Sequence, residues 1–156
     1  MKVLMVCLGN ICRSPMAHGI LRSKMNTLKL DVEVDSAGTS AYHIGDPPDI
    51  RQQETALGKG IDISDLRARQ FTVQDFDDFD LIYAMDDSNY NNMDTLARDE
   101  LDHAKLNMIL NENNPGKHLS VPDPYYGGTD GFELVYQLLN DACEVIAKKI
   151  QDGSYR

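Results

Sequence analysis

A thiol, an arginine and a set of small and polar residues stand together near the start of the chain, in Val6-Cys7-Leu8-Gly9-Asn10-Ile11-Cys12-Arg13-Ser14-Pro15. An apolar run at 3–6 precedes them and a segment with helical spacing follows, which predicts a strand-to-helix turn. The N–H groups left free at a helix N-terminus make such a turn an anion site. Successive amides from Leu8 through Ser14 can converge on one anion. Gly9 permits either close backbone approach or positive φ, and Asn10 tolerates the left-handed region better than most residues. Arg13 adds a planar fork matched to two phosphate oxygens. Cys7, at the mouth of this loop, has electropositive surroundings that favour the thiolate, its nucleophilic form. A phosphate cradle with a nucleophile at its base is the machinery of a phosphatase. The competing reading of Cys7 is a buried structural thiol at a strand end, and the presence of Arg13 weighs against it.

Magnitudes say where the catalysis must come from. Ionising a free cysteine completely at neutral pH gains roughly 30-fold. Hydrolysis of a phosphate monoester needs an acceleration many orders larger. Loop amides and Arg13, holding the phosphoryl oxygens as charge redistributes, must supply most of it. The leaving oxygen also needs a proton, so a general acid must approach from another loop. Asp123 is the candidate: Pro124 stiffens its backbone, and Tyr125 and Tyr126 can wall a cleft. Asp-Pro by itself reads more simply as a turn. Pairing with the Cys7 loop favours the acid.

These residues need a scaffold, and the hydrophobic pattern provides one. Residues 2–7 read as a buried central strand. Pro15 lies in the first turn of a helix that runs to about residue 28, with Met16, Ile20, Leu21, Met25 and Leu28 on its apolar stripe. Val32 to Asp35 alternates as a second strand ending at Ser36-Ala37-Gly38. A loop over 39–48 leads to a helix from about Asp49 to Gly58 or Gly60. Residues 61–70 carry no clear pattern. Thr72 to Asp75 looks like a helix start, with Phe76 and Phe79 on one face of a solvated acidic run. Residues 81–85 form a third buried strand, followed by a helix over about 88–102. Lys105 to Leu110 reads as a fourth strand, although its length also allows a continued helix, and residues 130–151 read as an amphipathic helix. Strands alternating with helices imply a single α/β domain over 1–156, a three-layer sandwich. Its central four-stranded parallel sheet carries helices on both faces, with the phosphate-binding loop after the first strand.

Composition narrows the partners. The 156 residues suffice for one core, and 42% hydrophobic and 26% charged residues are ordinary for a soluble globular chain. A formal charge of −10 argues against nucleic acid or an anionic membrane as partner. No apolar run reaches the length of a membrane span. Three cysteines, without a disulfide framework, suit a reducing cytoplasm. His18, His103 and His118 lack metal-ligand spacing, so neither a metal nor another cofactor is expected. Cys143 reads as a small core hydrophobe, and Tyr83 as core.

The pattern Cys-x-Gly-Asn-x-Cys-Arg-Ser-Pro resembles the phosphate-binding loop of the low-molecular-weight protein tyrosine phosphatases. The likeness continues through Asp35-Ser36-Ala37-Gly38-Thr39, Ala68-Arg69-Gln70, Met85-Asp86-Asp87-Ser88-Asn89 and Asp123-Pro124-Tyr125-Tyr126-Gly127, and so spans nearly the whole chain. It implies a protein tyrosine phosphatase acting through a cysteinyl-phosphate intermediate on a tyrosine-phosphorylated protein or peptide, and releasing inorganic phosphate. It gives Cys7 the role of nucleophile, Arg13 that of phosphate clamp and Asp123 that of acid. Ser14 falls where the family has a hydroxyl bonded to the cysteine sulfur, although an N-cap role is equally compatible. Asn10 and Ser36 fall where the family braces the loop from behind. Tyr42 and His43 fall in the variable loop flanking the cleft, and with Tyr125 and Tyr126 they would receive the substrate ring. The paired Cys7 and Cys12 imply reversible oxidation, against the simpler reading that Cys12 packs beneath the loop. One position departs. Leu66 stands where many members carry a histidine, so a polar contact behind the loop is missing or replaced by packing. An arsenate reductase of the same fold needs further cysteines, and a non-catalytic phosphate-binding module would lack the nucleophile or the acid.

Overall fold

Alternation along the first strand decides the layering. In the computed structural model, which describes residues 1–125 and 129–155, β1 (Lys2–Cys7) buries every residue from Val3 to Cys7. Val3, Met5 and Cys7 join one core cluster, Leu4 and Val6 another. Successive side chains of a strand point to opposite faces, so a strand buried throughout lies between two apolar layers.

β1 pairs in parallel with β2 (Glu33–Gly38) and with β3 (Leu81–Ala84), and β3 with β4 (Leu106–Met108), in the order β2-β1-β3-β4. On the first face lie α1 (Arg13–Leu28), α2 (Ile50–Leu57) and α6 (Thr129–Asp152), with Met16, Ile20, Val135, Leu139 and Ile146 fully enclosed. On the second, α3 (Gln74–Asp78) and α4 (Asp87–Asp94) supply Phe76 and Met93, and α5 (Glu100–Lys105) leads into β4. The chain leaves β1 toward β2 on one side and returns to β3 on the other. The loop after β1 therefore opens at the carboxyl end of the sheet where the strand order reverses, the usual ligand site of an open α/β sheet.

The expected helix over 88–102 is two helices. Asp99 takes extended backbone and accepts a hydrogen bond from the Asp102 amide (3.0 Å), so it caps a new helix instead of continuing the old one. The fourth strand is also shorter than expected. Lys105 ends α5, and residues 109–111 form a single 3₁₀ turn. The acidic run at 75–80 is not simply a solvated face. Asp75 is buried and binds the Arg69 guanidinium through both oxygens (3.1 Å each), while Asp80 accepts from the Lys2 amide (2.7 Å). Phe76 and Phe79 lie in the second core cluster as expected.

Candidate active site

The loop between β1 and α1 is shaped by what binds its carbonyls. The Cys7 carbonyl accepts from the Thr39 amide (2.9 Å) and the Leu8 carbonyl from Ser40 (3.0 Å). The Ile11 carbonyl accepts from the Asp49 amide (2.8 Å), and the Cys12 carbonyl from Gln52 Nε2 (2.8 Å). In a trans peptide the C=O and the following N–H point opposite ways. Outward-held carbonyls therefore turn the amides of Leu8, Gly9, Cys12 and Arg13 toward the inside of the loop. α1 begins at Arg13 without a side-chain cap, which leaves the donors of its first turn available to an anion.

Two residues let the loop close this tightly. Asn10 is the left-handed residue (φ 57°), held there by its Nδ2 donating to Ser14 Oγ (2.8 Å) and its Oδ1 accepting from the Arg69 amide (3.1 Å). Gly38, opposite Cys7 in the β1–β2 register, is the second. A Cβ there would lie 2.6 Å from the Leu8 carbonyl oxygen. Gly9 serves close approach rather than positive φ, since a Cβ would meet His43 at 2.9 Å.

The Cys7 sulfur lies 3.0 Å from Ser14 Oγ and accepts from the Asn10 amide at 3.3 Å. Because Asn10 Nδ2 already donates to Ser14 Oγ, the serine proton is directed outward, to the sulfur or to the more distant Ala37 carbonyl (3.4 Å). With Cys7 as thiolate, Ser14 is the donor. Ser14 lies inside the first turn of α1, and Cys12 holds the N-cap position, so the capping role falls away. Arg13 is buried, and one of its terminal nitrogens donates to Asp86 (2.6 Å) and to the Val121 carbonyl (3.1 Å). The other is 3.7 Å from an Asp123 oxygen. Desolvation works against the guanidinium charge, but Cys7, Asp86 and Asp123 outweigh it, and its pKa is raised.

Cys7, Leu8, Gly9, Ile11, Cys12 and Arg13 line a cavity of about 230 Å³ together with Ser40, Tyr42, His43, Asp123 and Tyr125. Asn10, Ser14 and Ser36 lie behind it, buried. Tyr42 is 87% exposed at the rim, and the His43 and Tyr125 rings face each other across 6.4 Å. Tyr126 falls outside the described residues. Sequence reasoning missed Gly38, Gln52 and Asp86 as parts of the site, although Gly38 and Asp86 lie inside stretches it singled out.

Packing takes the place of a polar side chain at Leu66, which is partly buried against the first core cluster. A buried polar pair lies on other elements, where His18 Nδ1 of α1 is 3.0 Å from Ser36 Oγ of β2. Burial, aided by the Arg22 charge, pushes His18 down to about 4, against the opposing pull of Asp35, Asp65 and a hydrogen bond to the Val34 backbone. The folded protein keeps His18 neutral where an unfolded chain, with the ordinary value of 6.5, takes up a proton. Unfolding then binds protons, so this contribution to stability is complete above pH 6.5 and is lost as pH falls toward 4. Its depth is on the order of 3 kcal/mol. Urea unfolding across that window should show stability falling with acid, and His18→Gln should remove this share of the slope. An unchanged slope in the variant would contradict a neutral, buried His18.

The chain matches the family model described as low molecular weight phosphotyrosine protein phosphatase over residues 2–154. It is 49% identical over 147 residues to a Synechocystis protein provisionally named a low molecular weight protein-tyrosine-phosphatase, covering 92% of each chain. It is 41% identical to the Schizosaccharomyces pombe low molecular weight phosphotyrosine protein phosphatase, covering 96% of each. Among solved structures, a protein tyrosine phosphatase from Entamoeba histolytica superposes with a TM-score of 0.92 at 38% identity, covering 99% of both chains.

Proposed function

The chain belongs to the low molecular weight phosphotyrosine protein phosphatase family, and from that premise we propose that Cys7, Arg13 and Asp123 hydrolyse the phosphotyrosine of a protein or peptide. The observation that carries this reading is the cavity that Cys7, Arg13 and Asp123 line together, with Arg13 3.7 Å from the Asp123 carboxylate and the loop carbonyls held outward. The phosphoryl group enters with its oxygens on the loop amides and on Arg13. The Cys7 thiolate attacks phosphorus. As the S–P bond forms, the P–O bond to the phenol breaks, and the Asp123 carboxyl hands its proton to the departing oxygen. Water then attacks the same phosphorus, Asp123 takes its proton, the S–P bond breaks, and inorganic phosphate leaves. Ser14 stabilises the thiolate as it departs.

Aromatic walls support an aryl substrate. The Tyr42, His43 and Tyr125 side chains line the cavity beside the phosphate loop, where they would receive a tyrosine ring. A shorter phosphoserine would not span from the loop to that rim. The arsenate-reductase alternative lacks its relay: Cys143 is wholly buried in α6, and burial pushes its thiol up to about 12. The chemistry needs Cys7 reduced, which supports a cytoplasmic setting. Among the described residues no helix is long and apolar enough to cross a membrane. The direct test is hydrolysis of p-nitrophenyl phosphate and of phosphotyrosine and phosphoserine peptides in the presence of a chelator. Release of phosphate from the first two and not the third is the expected result, and equal phosphoserine turnover would overturn the substrate reading.

Reversible oxidation follows from the same pocket. Cys7 and Cys12 both line it, and burial with the nearby Asp49 charge pushes the Cys12 thiol above its ordinary range. Peroxide should therefore oxidise Cys7 first, to a sulfenic acid, and Cys12 should then condense with it to a disulfide, releasing water. Peroxide inactivation should be reversed by dithiothreitol and slowed by bound phosphate. Cys12→Ser should recover poorly, and recovery as complete as wild type would remove Cys12 from that role.

A further inference from the structure

We propose that Arg51 is the positioning residue for the proton donor, a latch that sets Asp123 in register with the phosphate loop; this rests on Asp123 being the general acid. Asp123 hangs between two anchors. Upstream, Val121 is buried, its amide donates to the Met85 carbonyl at the end of β3 (2.8 Å), and its own carbonyl accepts from Arg13 (3.1 Å). Downstream, the Tyr125 amide donates to Asp123 Oδ1 (3.0 Å), so the carboxylate is tied to the backbone of Tyr125. The Tyr125 carbonyl in turn accepts from the Arg51 guanidinium (3.1 Å).

Arg51 is held rigidly enough to define a position. Its Nε and a terminal nitrogen bind the two oxygens of Asp49 at 3.0 and 2.9 Å, a bidentate pair that fixes the plane of the fork. The guanidinium carbon lies 4.7 Å from the centre of the Phe132 ring on α6 and 5.6 Å from that of Tyr125. Asp49 caps α2, and its amide donates to the Ile11 carbonyl of the phosphate loop (2.8 Å). A short chain of contacts therefore runs from Ile11 through Asp49, Arg51 and Tyr125 to Asp123. It couples the two catalytic loops through Asp49 and Arg51, neither of which lines the cavity. Its upstream counterpart passes through Arg13, which also clamps phosphate, so Arg51 is the point at which acid placement can be changed separately from phosphate binding.

In phosphoryl transfer to Cys7, the step that kcat/KM reports, a misplaced acid harms only substrates whose leaving oxygen needs the proton. The second step, in which Asp123 takes the proton of water, is common to all substrates. Arg51→Met keeps much of the aliphatic stem and loses both the donor to Tyr125 and the Asp49 pair. It should lower kcat/KM for a phosphotyrosine peptide roughly tenfold and leave kcat/KM for p-nitrophenyl phosphate within about twofold. Inorganic phosphate inhibition should be unchanged, which also reports an intact cradle and fold. Arg51→Lys, able to reach the carbonyl without the fork, should recover part of the loss. In the Asp123→Asn background, Arg51→Met should cost nothing further, because the two changes remove one function. The proposal is overturned if Arg51→Met slows both substrates equally, or if its effect adds in full to that of Asp123→Asn. Asp123→Asn alone separates the two levels. If that variant discriminates between the substrates and Arg51→Met does not, only the latch fails. If Asp123→Asn slows both substrates alike, the acid assignment fails and the latch with it.

Discussion

Cys7→Ser is expected to lower turnover of p-nitrophenyl phosphate by roughly 10⁴-fold or more, the scale on which removal of a nucleophile is felt, while inorganic phosphate should still bind within a few-fold of wild type. The two halves of this result have separate origins. A serine hydroxyl at neutral pH is not ionised and makes a poor attacking group even with the Ser14 hydroxyl 3.0 Å from the sulfur position. The anion site does not depend on the sulfur. Its carbonyls are held by Thr39, Ser40, Asp49 and Gln52, and its guanidinium by Asp86 and Val121. Phosphate binding, measured in the variant by isothermal titration calorimetry, reports the cradle. Residual turnover close to wild type would remove Cys7 as nucleophile. Loss of phosphate binding would mean that the loop collapses without the Asn10 amide bond to sulfur.

Asp123→Asn is expected to lower kcat/KM for phosphotyrosine by roughly 10²–10³-fold and for an activated aryl phosphate far less, because in the first step a general acid contributes on that scale only where the leaving group needs its proton. The direction of KM is a second signature. Asp123 stands 3.7 Å from Arg13, so the carboxylate competes with incoming phosphate for the same guanidinium. Removing its charge should leave KM unchanged or lower it while kcat falls. An equal loss of kcat/KM on both substrates would count against Asp123 as proton donor.

What the sequence disclosed, and what it hid, follows from where the information resides. Cys7, Gly9, Asn10, Arg13 and Ser14 are consecutive or nearly so, and local spacing was enough to read a phosphate loop on a strand-to-helix turn. The sheet was legible because β1 and β3 are apolar throughout and few other arrangements bury such strands. Contacts between distant segments were not legible. Arg51, three residues past a Pro-Pro pair, looks like any surface arginine until Tyr125 is folded against it. His18 reads as an isolated helix residue until β2 brings Ser36 to it. Gly38 was visible as a strand end, but its reason, a Leu8 carbonyl 2.6 Å from where a Cβ would be, lies 30 positions away. The break between α4 and α5 had a local signal, Asp99 three residues before Asp102, and helical periodicity on both sides obscured it.

The central claim is that a phosphoryl group passes through Cys7. The measurement that tests it most directly is acid quenching of the enzyme during steady-state turnover of p-nitrophenyl phosphate, followed by digestion and mass analysis of the peptide that carries Cys7. The account predicts that this peptide gains the mass of one phosphoryl group on the Cys7 sulfur during turnover, and that the Cys7→Ser variant gains none. Rapid turnover with an unmodified Cys7 peptide, or a phosphoryl group on any other side chain, would contradict it.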